Sequence, residues 1–417
     1  MSAASSNQSA VTRATCPYCA LLCDDLSVQP RDGCFQIVRN GCQRAKTDFA
    51  RPPIATKPMV KGKRASVSGA CVRGAEILAS ARQPLLAGLG TDVDGMRAAI
   101  ELAESVNGIV DHMHGDALAA MSTVMQSRGW YATTLSEVRN RADLVIIVDL
   151  DLADRYENFA RQCLKPPACP GRKAARERRV GYIGRPERTA KTAEPGLQLK
   201  CQPDNVHQTL RTLLGALKYP KQRRTRTTKP LEALVDAMKA ADYTVFVFSA
   251  GALEAPQVPC IATLCEMVDQ LNTENRAAIL SLGGDDGGQT AAAVSAWLTG
   301  YPLRVSFGQR IEYGPKHNQT QHLIEQDAID ALLWIDAFGR NPTPPAFPPE
   351  KTIVVAATEP QEVERYAAFI PVGTPGVDHF ARLVRTDSVA TLALPQLRRN
   401  RLANVADILR AMTEALS

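Results

Sequence analysis

The feature that most constrains this chain is a series of short apolar runs, each the length of a strand and too hydrophobic to leave one face in water. Leu144-Val145-Ile146-Ile147-Val148 is the plainest, and similar runs fall at residues 84–90, 108–111, 180–183, 243–248, 277–282, 332–335 and 353–355. A strand with one solvated face alternates apolar and polar residues, whereas an unbroken run is buried on both faces. Amphipathic stretches of helix length separate several of the runs, as where Met96, Ala99, Ile100, Ala103 and Val106 form one stripe. Strands alternating with helices predict parallel sheets covered on both sides, that is, doubly wound, Rossmann-like α/β domains.

A chain of 417 residues is too long for a single core. Its composition suggests a small Cys-rich head over residues 1–60, a first α/β domain over 61–230 with a basic segment, and a second over 231–417. A helix over 402–416 closes the last part. Pro52, Pro53 and Pro58 mark an extended link after the head. No apolar run approaches the roughly 18 residues that span a bilayer. Residues 1–14 lack the apolar centre of a signal peptide. Both readings place the chain in the cytoplasm, with no membrane partner.

Five of the 11 cysteines, Cys16, Cys19, Cys23, Cys34 and Cys42, fall in the head. An odd total with tight clustering suits reduced thiols and a metal site better than a disulfide framework. The spacing of Cys16, Cys19 and Cys23 lets one loop aim three thiolates at a common point, and Cys42 closes a four-cysteine shell of the iron–sulfur or zinc type. Spacing alone does not choose between iron–sulfur, zinc and a head of buried thiols that has lost its metal. Cys34, beside an Asp32-Gly33 turn, is a substitute ligand, and Cys71 reads as a small core residue.

Basic residues are unevenly placed. Arg172, Lys173, Arg176, Arg178, Arg179, Arg185, Arg188 and Lys191 form one cluster, and Lys221, Arg223, Arg224 and Arg226 a second. Such density attracts polyanions or forms a solvated face. The clusters lack the interleaved aromatics of a nucleic-acid surface, apart from Tyr182, so nucleic acid is not an expected partner. Glu104, Glu137 and Asp149 read as solvated or capping carboxylates, and the Gly283–Gly288 stretch, with Asp285 and Asp286, as a solvated turn. No catalytic residue stands out.

Cys16-Pro17-Tyr18-Cys19 through Cys23-Asp24-Asp25, followed by Asn40-Gly41-Cys42-Gln43-Arg44-Ala45-Lys46, resembles the opening of the B subunit of formylmethanofuran dehydrogenases. Glu137-Val138-Arg139-Asn140-Arg141-Ala142-Asp143, Thr299-Gly300-Tyr301-Pro302 and Pro371-Val372-Gly373-Thr374-Pro375-Gly376 resemble later landmarks of that family in the same order. The resemblance implies a molybdopterin oxidoreductase type of fold and, at Cys16, Cys19, Cys23 and Cys42, a [4Fe–4S] site. Three departures stand against the full set of cofactors. Met113 in His112-Met113-His114-Gly115 stands where the family has a metal-binding Cys or selenocysteine, and a thioether is a neutral, weak donor. Asp285 and Asp286 lie in the Gly-rich turn that in the family approaches the pterin dinucleotide, where carboxylates repel phosphate. After Gly376, Asp378-His379-Phe380-Ala381-Arg382 replaces a further family pattern.

Molybdopterin and tungsten or molybdenum are therefore expected to be absent. Among relatives with this loss, the resemblance is nearest to the B subunit of the bacterial formyltransferase/hydrolase complex. It implies a non-redox structural and binding subunit, with formyl transfer and hydrolysis on partner subunits and a methanofuran-type carrier held by the complex. The basic cluster, with Arg176, Arg178 and Arg179, is then the candidate contact for a polyglutamate-bearing carrier. The alternatives are a working tungsten or molybdenum dehydrogenase and a nucleic-acid binder.

Overall fold

The computed structural model describes residues 11–165, 178–186, 193–219 and 228–416. The chain forms two compact units, one made of Met1–Gly115 with Gly284–Ser417 and the other of Asp116–Gly283, so the second is inserted in the sequence of the first.

The first unit opens with strands β1 (Thr12–Ala14), β2 (Leu26–Arg31) and β3 (Cys34–Arg39), an antiparallel sheet in that order. Asp32 (φ 50°) and Gly33 (φ 77°) make the left-handed turn of the β2–β3 hairpin. Helix α1 (Gln43–Phe49) follows, and Phe49 meets Tyr18 and Phe35 edge-on at 5.2 and 6.3 Å between centroids, giving the head a small core of its own. Next come β4 (Met59–Val60), β5 (Lys63–Arg64), α2 (Val67–Ser80), β6 (Pro84–Gly90), α3 (Val93–Ser105) and β7 (Ile109–Val110). The expected stripe of α3 faces inward, with Met96, Ala99 and Ala103 wholly buried. Its start is fixed by the Asp92 carboxylate, which accepts the Gly95 N–H at 3.0 Å.

The inserted unit is built on β8 (Leu144–Val148), β9 (Arg179–Gly184), β10 (Gln198–Lys200), β11 (Tyr243–Phe248) and β12 (Arg276–Ser281). They form one parallel sheet in the order β10-β9-β8-β11-β12. This is the strand order of a Rossmann sheet without its last strand. Helices α4 (Val206–Lys218), α5 (Lys229–Ala240) and α6 (Gln257–Leu271) contribute Leu210, Leu214, Leu234, Met238, Ile261 and Leu264 to the core against Ile146 and Phe246. Burial on both faces explains why β8 carries no polar residue.

The chain then returns to the first unit through α7 (Gly288–Thr299), β13 (Val305–Phe307), β14 (Ile311–Tyr313), β15 (Ala331–Asp336), β16 (Thr352–Ala356), β17 (Ala368–Pro371) and α8 (Val405–Glu414). The large sheet runs β14-β13-β7-β6-β15-β16-β17-β4-β5. Its five inner strands are parallel; β13 and β4 run antiparallel to them, and β14 and β5 pair antiparallel with β13 and β4 in turn. Helix α8 packs on α2 and α3 through Ile408, Leu409 and Met412.

This division differs from the sequential parts 1–60, 61–230 and 231–417. β6 pairs with β15 across the whole inserted unit, not with β8. A run that is apolar on both faces fits any parallel sheet, so its partner is not encoded in the run itself. The head is also tied into the first unit: the Arg51 guanidinium donates to the carbonyls of Phe338 and Gly339, and that of Arg340 to Asp48 at 2.9 Å. No helix among the described residues is long and apolar enough to cross a membrane.

Two glycines shape the end of the large sheet. Gly88 (φ 77°) lies opposite a shift in register at Trp334–Asp336, and a Cβ there would come within 2.6 Å of the Ile335 carbonyl. Gly287 (φ 78°) brings the turn before α7 against the end of β6, where a Cβ would meet the Thr91 carbonyl at 2.5 Å.

Candidate functional site

In open α/β sheets, ligands bind beyond the carboxyl ends of the strands where the order of strand addition reverses. In the first unit that point lies between β6 and β15, and in the inserted unit between β8 and β11. Both points are occupied by networks of arginine and carboxylate side chains.

In the first unit the centre of the network is Arg44, on the first turn of α1. Its guanidinium donates to Asp285 Oδ2 at 2.7 Å and to Asp286 Oδ1 at 3.2 Å, with Asp48 at 3.8 Å. Asp285 Oδ1 also accepts the Ala20 N–H at 3.3 Å, which fastens the cysteine loop to the Gly-rich turn. Asp286 Oδ2 lies 2.9 Å from His114 Nε2, and Arg340 Nε is 3.5 Å from Asp286 Oδ1. Asp285 and Asp286 are each only 3% exposed, so the solvated turn read from the sequence is instead buried. Burial pushes the Asp286 carboxyl up, but His114, Arg44 and Arg340 outweigh it and hold the group below the usual carboxylate range.

The segment after β7 is placed by this network. His112 is buried; its Nδ1 accepts the His114 N–H at 3.0 Å, so Nε2 carries the proton and donates to the Asp286 carbonyl at 3.1 Å. Burial, reinforced by His114, pushes the His112 ring down to about 3 and keeps it neutral. The thioether of Met113 lies 3.1 Å from Asn341 Nδ2, and its methyl group lies close over Gly90. Asp336, at the end of β15, accepts the N–H groups of Phe338, Gly339 and Asn341 at 3.1, 2.9 and 2.6 Å. Burial and the nearby Asp286 nevertheless push its carboxyl up to about 6.

The inserted unit repeats the theme. Asp149 follows β8 and Arg185 follows β9. The Arg185 guanidinium donates to both Asp149 oxygens, at 3.0 and 2.9 Å, and pairs with Glu254 beyond β11. Gly184 allows the approach, since a Cβ there would lie 2.7 Å from the Asp149 Cα. Asp149 is therefore a buried partner in an ion pair, not the solvated or capping carboxylate expected from the sequence.

In the cysteine head, the Cys16 N–H donates to the Cys23 carbonyl at 2.9 Å and the Leu22 N–H to Cys19 at 3.1 Å, closing the loop. The thiols of Cys16, Cys19 and Cys23 are buried, while Cys42 Sγ accepts the Ala45 N–H at 3.5 Å as the cap of α1. Burial, then neighbouring anionic groups, pushes the Cys16 and Cys19 thiols well up, with Asp285 adding to the effect at Cys19. Among the described residues, no group of three or more His, Cys, Asp or Glu side chains is arranged to hold a metal ion.

Of the three arginines singled out in the sequence, Arg176 lies outside the described residues. The Arg178 guanidinium is spent on backbone carbonyls: it donates to Ala142 and Val138 at 2.7 Å, to Arg139 at 3.1 Å, and to Cys163. Arg179 is about half exposed and pairs with Glu194 at 3.1 Å. The run Lys221–Arg226 also falls outside the described residues. The sequence reading missed Asp336, Arg340 and the role of Arg44. A lone acidic residue ending an apolar strand, as Asp336 does, is the signal that was there to be read.

The fold and these two crevices define a doubly wound α/β protein whose ligand positions hold internal salt bridges. No profile of a known protein family matches the chain. It is 29% identical over 331 residues to the B subunit of the formyltransferase/hydrolase complex Fhc of Methylorubrum extorquens, covering 76% of this chain and 85% of that protein. It is 25% identical over 352 residues to the B subunit of the tungsten-containing formylmethanofuran dehydrogenase 2 of Methanocaldococcus jannaschii, covering 78% of each. Among solved structures it is similar to a chain of the FhcABCD complex of M. extorquens with methylofuran. There the TM-score is 0.73 at 25% identity, covering 86% of this chain and 98% of that one. The chain is a homologue of the B subunits of formylmethanofuran dehydrogenase and of the formyltransferase/hydrolase complex, as its motifs suggested.

The raised carboxyl of Asp336 fixes a pH dependence. An unfolded Asp loses its proton near about pH 4, but the folded Asp336 keeps it until about 6. Between those values the folded chain binds the extra proton, so stability falls as pH rises through the window. Urea unfolding from pH 4 to 6 is expected to show wild type losing about 2–3 kcal/mol relative to Asp336→Asn. Parallel curves would contradict the placement of this carboxyl.

Proposed function

We propose that this chain is a non-redox structural and binding subunit of a formyltransferase/hydrolase complex. Formyl transfer to a methanofuran-type carrier, and hydrolysis of the formyl group, are then carried by partner subunits. The observation that carries this reading is the filling of the crevice in the first unit by Arg44, Asp285, Asp286 and Met113. The Arg44 guanidinium is already spent on two buried carboxylates that would themselves repel a dinucleotide phosphate, and a thioether replaces the thiolate a high-valent metal needs. The M. extorquens relative is named for such a complex, and the similar solved complex contains methylofuran.

The cysteine head belongs to this reading as a structural staple. We read it as a head that has lost its metal, with Cys16, Cys19, Cys23 and Cys42 as the residues that would hold an iron–sulfur cluster or a zinc ion. Metal and pterin analysis of the complex purified through this chain tests both points. Tungsten, molybdenum, pterin, iron and zinc are expected to be substoichiometric to this chain once the metals held by partner subunits are subtracted. Stoichiometric tungsten or molybdenum with pterin would instead establish a working dehydrogenase subunit, and four irons or one zinc per chain would restore the metal role of Cys16, Cys19, Cys23 and Cys42.

The basic cluster remains the proposed contact for a polyglutamate-bearing carrier, with Arg179 and Arg176 as the candidates. Arg179→Glu is expected to weaken carrier retention in the purified complex without unfolding the chain. Arg178→Glu is expected to act through stability, lowering it by about 3 kcal/mol because several buried carbonyls lose their donor. Unchanged retention in Arg179→Glu, measured beside a thermal melt, would remove Arg179 from the carrier site.

A further inference from the structure

The switch point of the inserted unit holds an arginine that is fixed on one side and loosely occupied on the other. Arg185 follows β9 with its side chain only 6% exposed, and its Nε–Nη2 edge is locked on Asp149 at 3.0 and 2.9 Å. The Arg185 N–H also donates to Asp149 Oδ1 at 3.1 Å, and Nη2 meets the Ala252 carbonyl at 3.3 Å. The backbone is bent to make this lock, since Asp149 has φ 43° and Gly184 leaves no room for a Cβ beside it. The guanidinium is thus held rigidly at the carboxyl end of a parallel sheet, where ligands bind.

The lock leaves Nη1 over. Its partner among the described residues is Glu254, in the loop between β11 and α6. The Glu254 side chain is 58% exposed, against 1% for Asp149. A carboxylate that stays mostly in water gives up little when it swings away, and a pair with such a partner contributes little to stability. Removing Asp149 would strand a buried cation, whereas removing Glu254 leaves the lock whole. Helix α6 begins three residues after Glu254, and no side chain caps its first turn. Its amino end adds positive potential to the same loop.

We propose that Nη1 of Arg185 is a binding site for a carboxylate of an extended oligoglutamate chain, and that Glu254 occupies the site in the absence of that chain. The entering carboxylate accepts the charge-assisted hydrogen bond that Glu254 gives up, so the guanidinium stays paired throughout. Held by Asp149, the donor keeps a fixed direction that a flexible lysine lacks. The site rests on the polyglutamate-bearing carrier proposed above but uses a different arginine. Arg179 stands at the amino end of β9 and Arg185 beyond its carboxyl end, roughly 20 Å away. The two contacts are therefore separable.

The probe is a fluorescein-labelled octaglutamate, with octaglutamine as its neutral counterpart, titrated against the purified full chain by fluorescence anisotropy. Glu254→Gln and Glu254→Asp are each expected to bind octaglutamate at least about threefold more tightly than wild type. The first removes the occupant; the second shortens its reach and keeps its charge. Glu274→Gln, an exposed charge-matched control in the same unit, is expected to bind as wild type does. Arg185→Lys, checked by a thermal melt, is expected to bind about fivefold more weakly, and adding Glu254→Gln to it is expected to restore nothing. Tightening in Glu254→Gln but not in Glu254→Asp, or equal tightening in Glu274→Gln, would overturn the proposal by showing a general charge effect. So would octaglutamine binding as well as octaglutamate, or no tightening in either Glu254 variant. Weakening by Arg179→Glu with no response at Glu254 would leave the carrier contact standing and sink this site, and the converse result would remove Arg179 and support it.

Discussion

The first unit depends on one guanidinium. Arg44 lies between Asp285 and Asp286, and through them the cysteine loop, the Gly-rich turn and the histidine segment after β7 take their positions. All three ionic groups are nearly out of water. A buried pair is weak evidence of net stability, because desolvation offsets much of the attraction, but removing one partner strands the other and costs about 3–5 kcal/mol. The network thus specifies one arrangement of the crevice more than it strengthens the fold. His112 is kept neutral by burial, and the Asp286 carbonyl it donates to belongs to the same turn.

The same solution at the second switch point strengthens the functional argument. Arg185 and Asp149 sit beyond β9 and β8 much as Arg44 and Asp286 sit beside the ends of β6 and β15. Two separate stretches of chain therefore place buried ion pairs at the positions where doubly wound sheets take ligands. A protein constructed this way keeps the scaffold of its dehydrogenase homologues and spends its polar groups on holding itself.

Much of the fold was legible in the sequence. The runs at 84–90, 144–149, 243–248, 332–335 and 353–355 are parallel strands because burial on two faces leaves no polar position, and α3 buries the stripe its periodicity marks. The pairing of strands was not legible, since β6 and β8 are equally apolar and nothing local says that β6 belongs beside β15. Met113 was readable as an exchange of chemistry. Asp285 and Asp286 were misread as solvated, because their counter-ion, Arg44, is distant in sequence and charge pairing across such a span leaves no periodic trace. Arg178 was likewise grouped with the cationic surface, although its carbonyl partners hold it inside the inserted unit.

The central claim is that the crevice is held by its own charges, and a double-mutant cycle on Arg44 and Asp285 tests it most directly. Wild type, Arg44→Met, Asp285→Asn and the double variant would be compared by urea unfolding of the full chain. A coupling energy of about 2 kcal/mol or more is expected for a close, desolvated pair. Additive losses, with coupling under about 0.5 kcal/mol, would contradict the account.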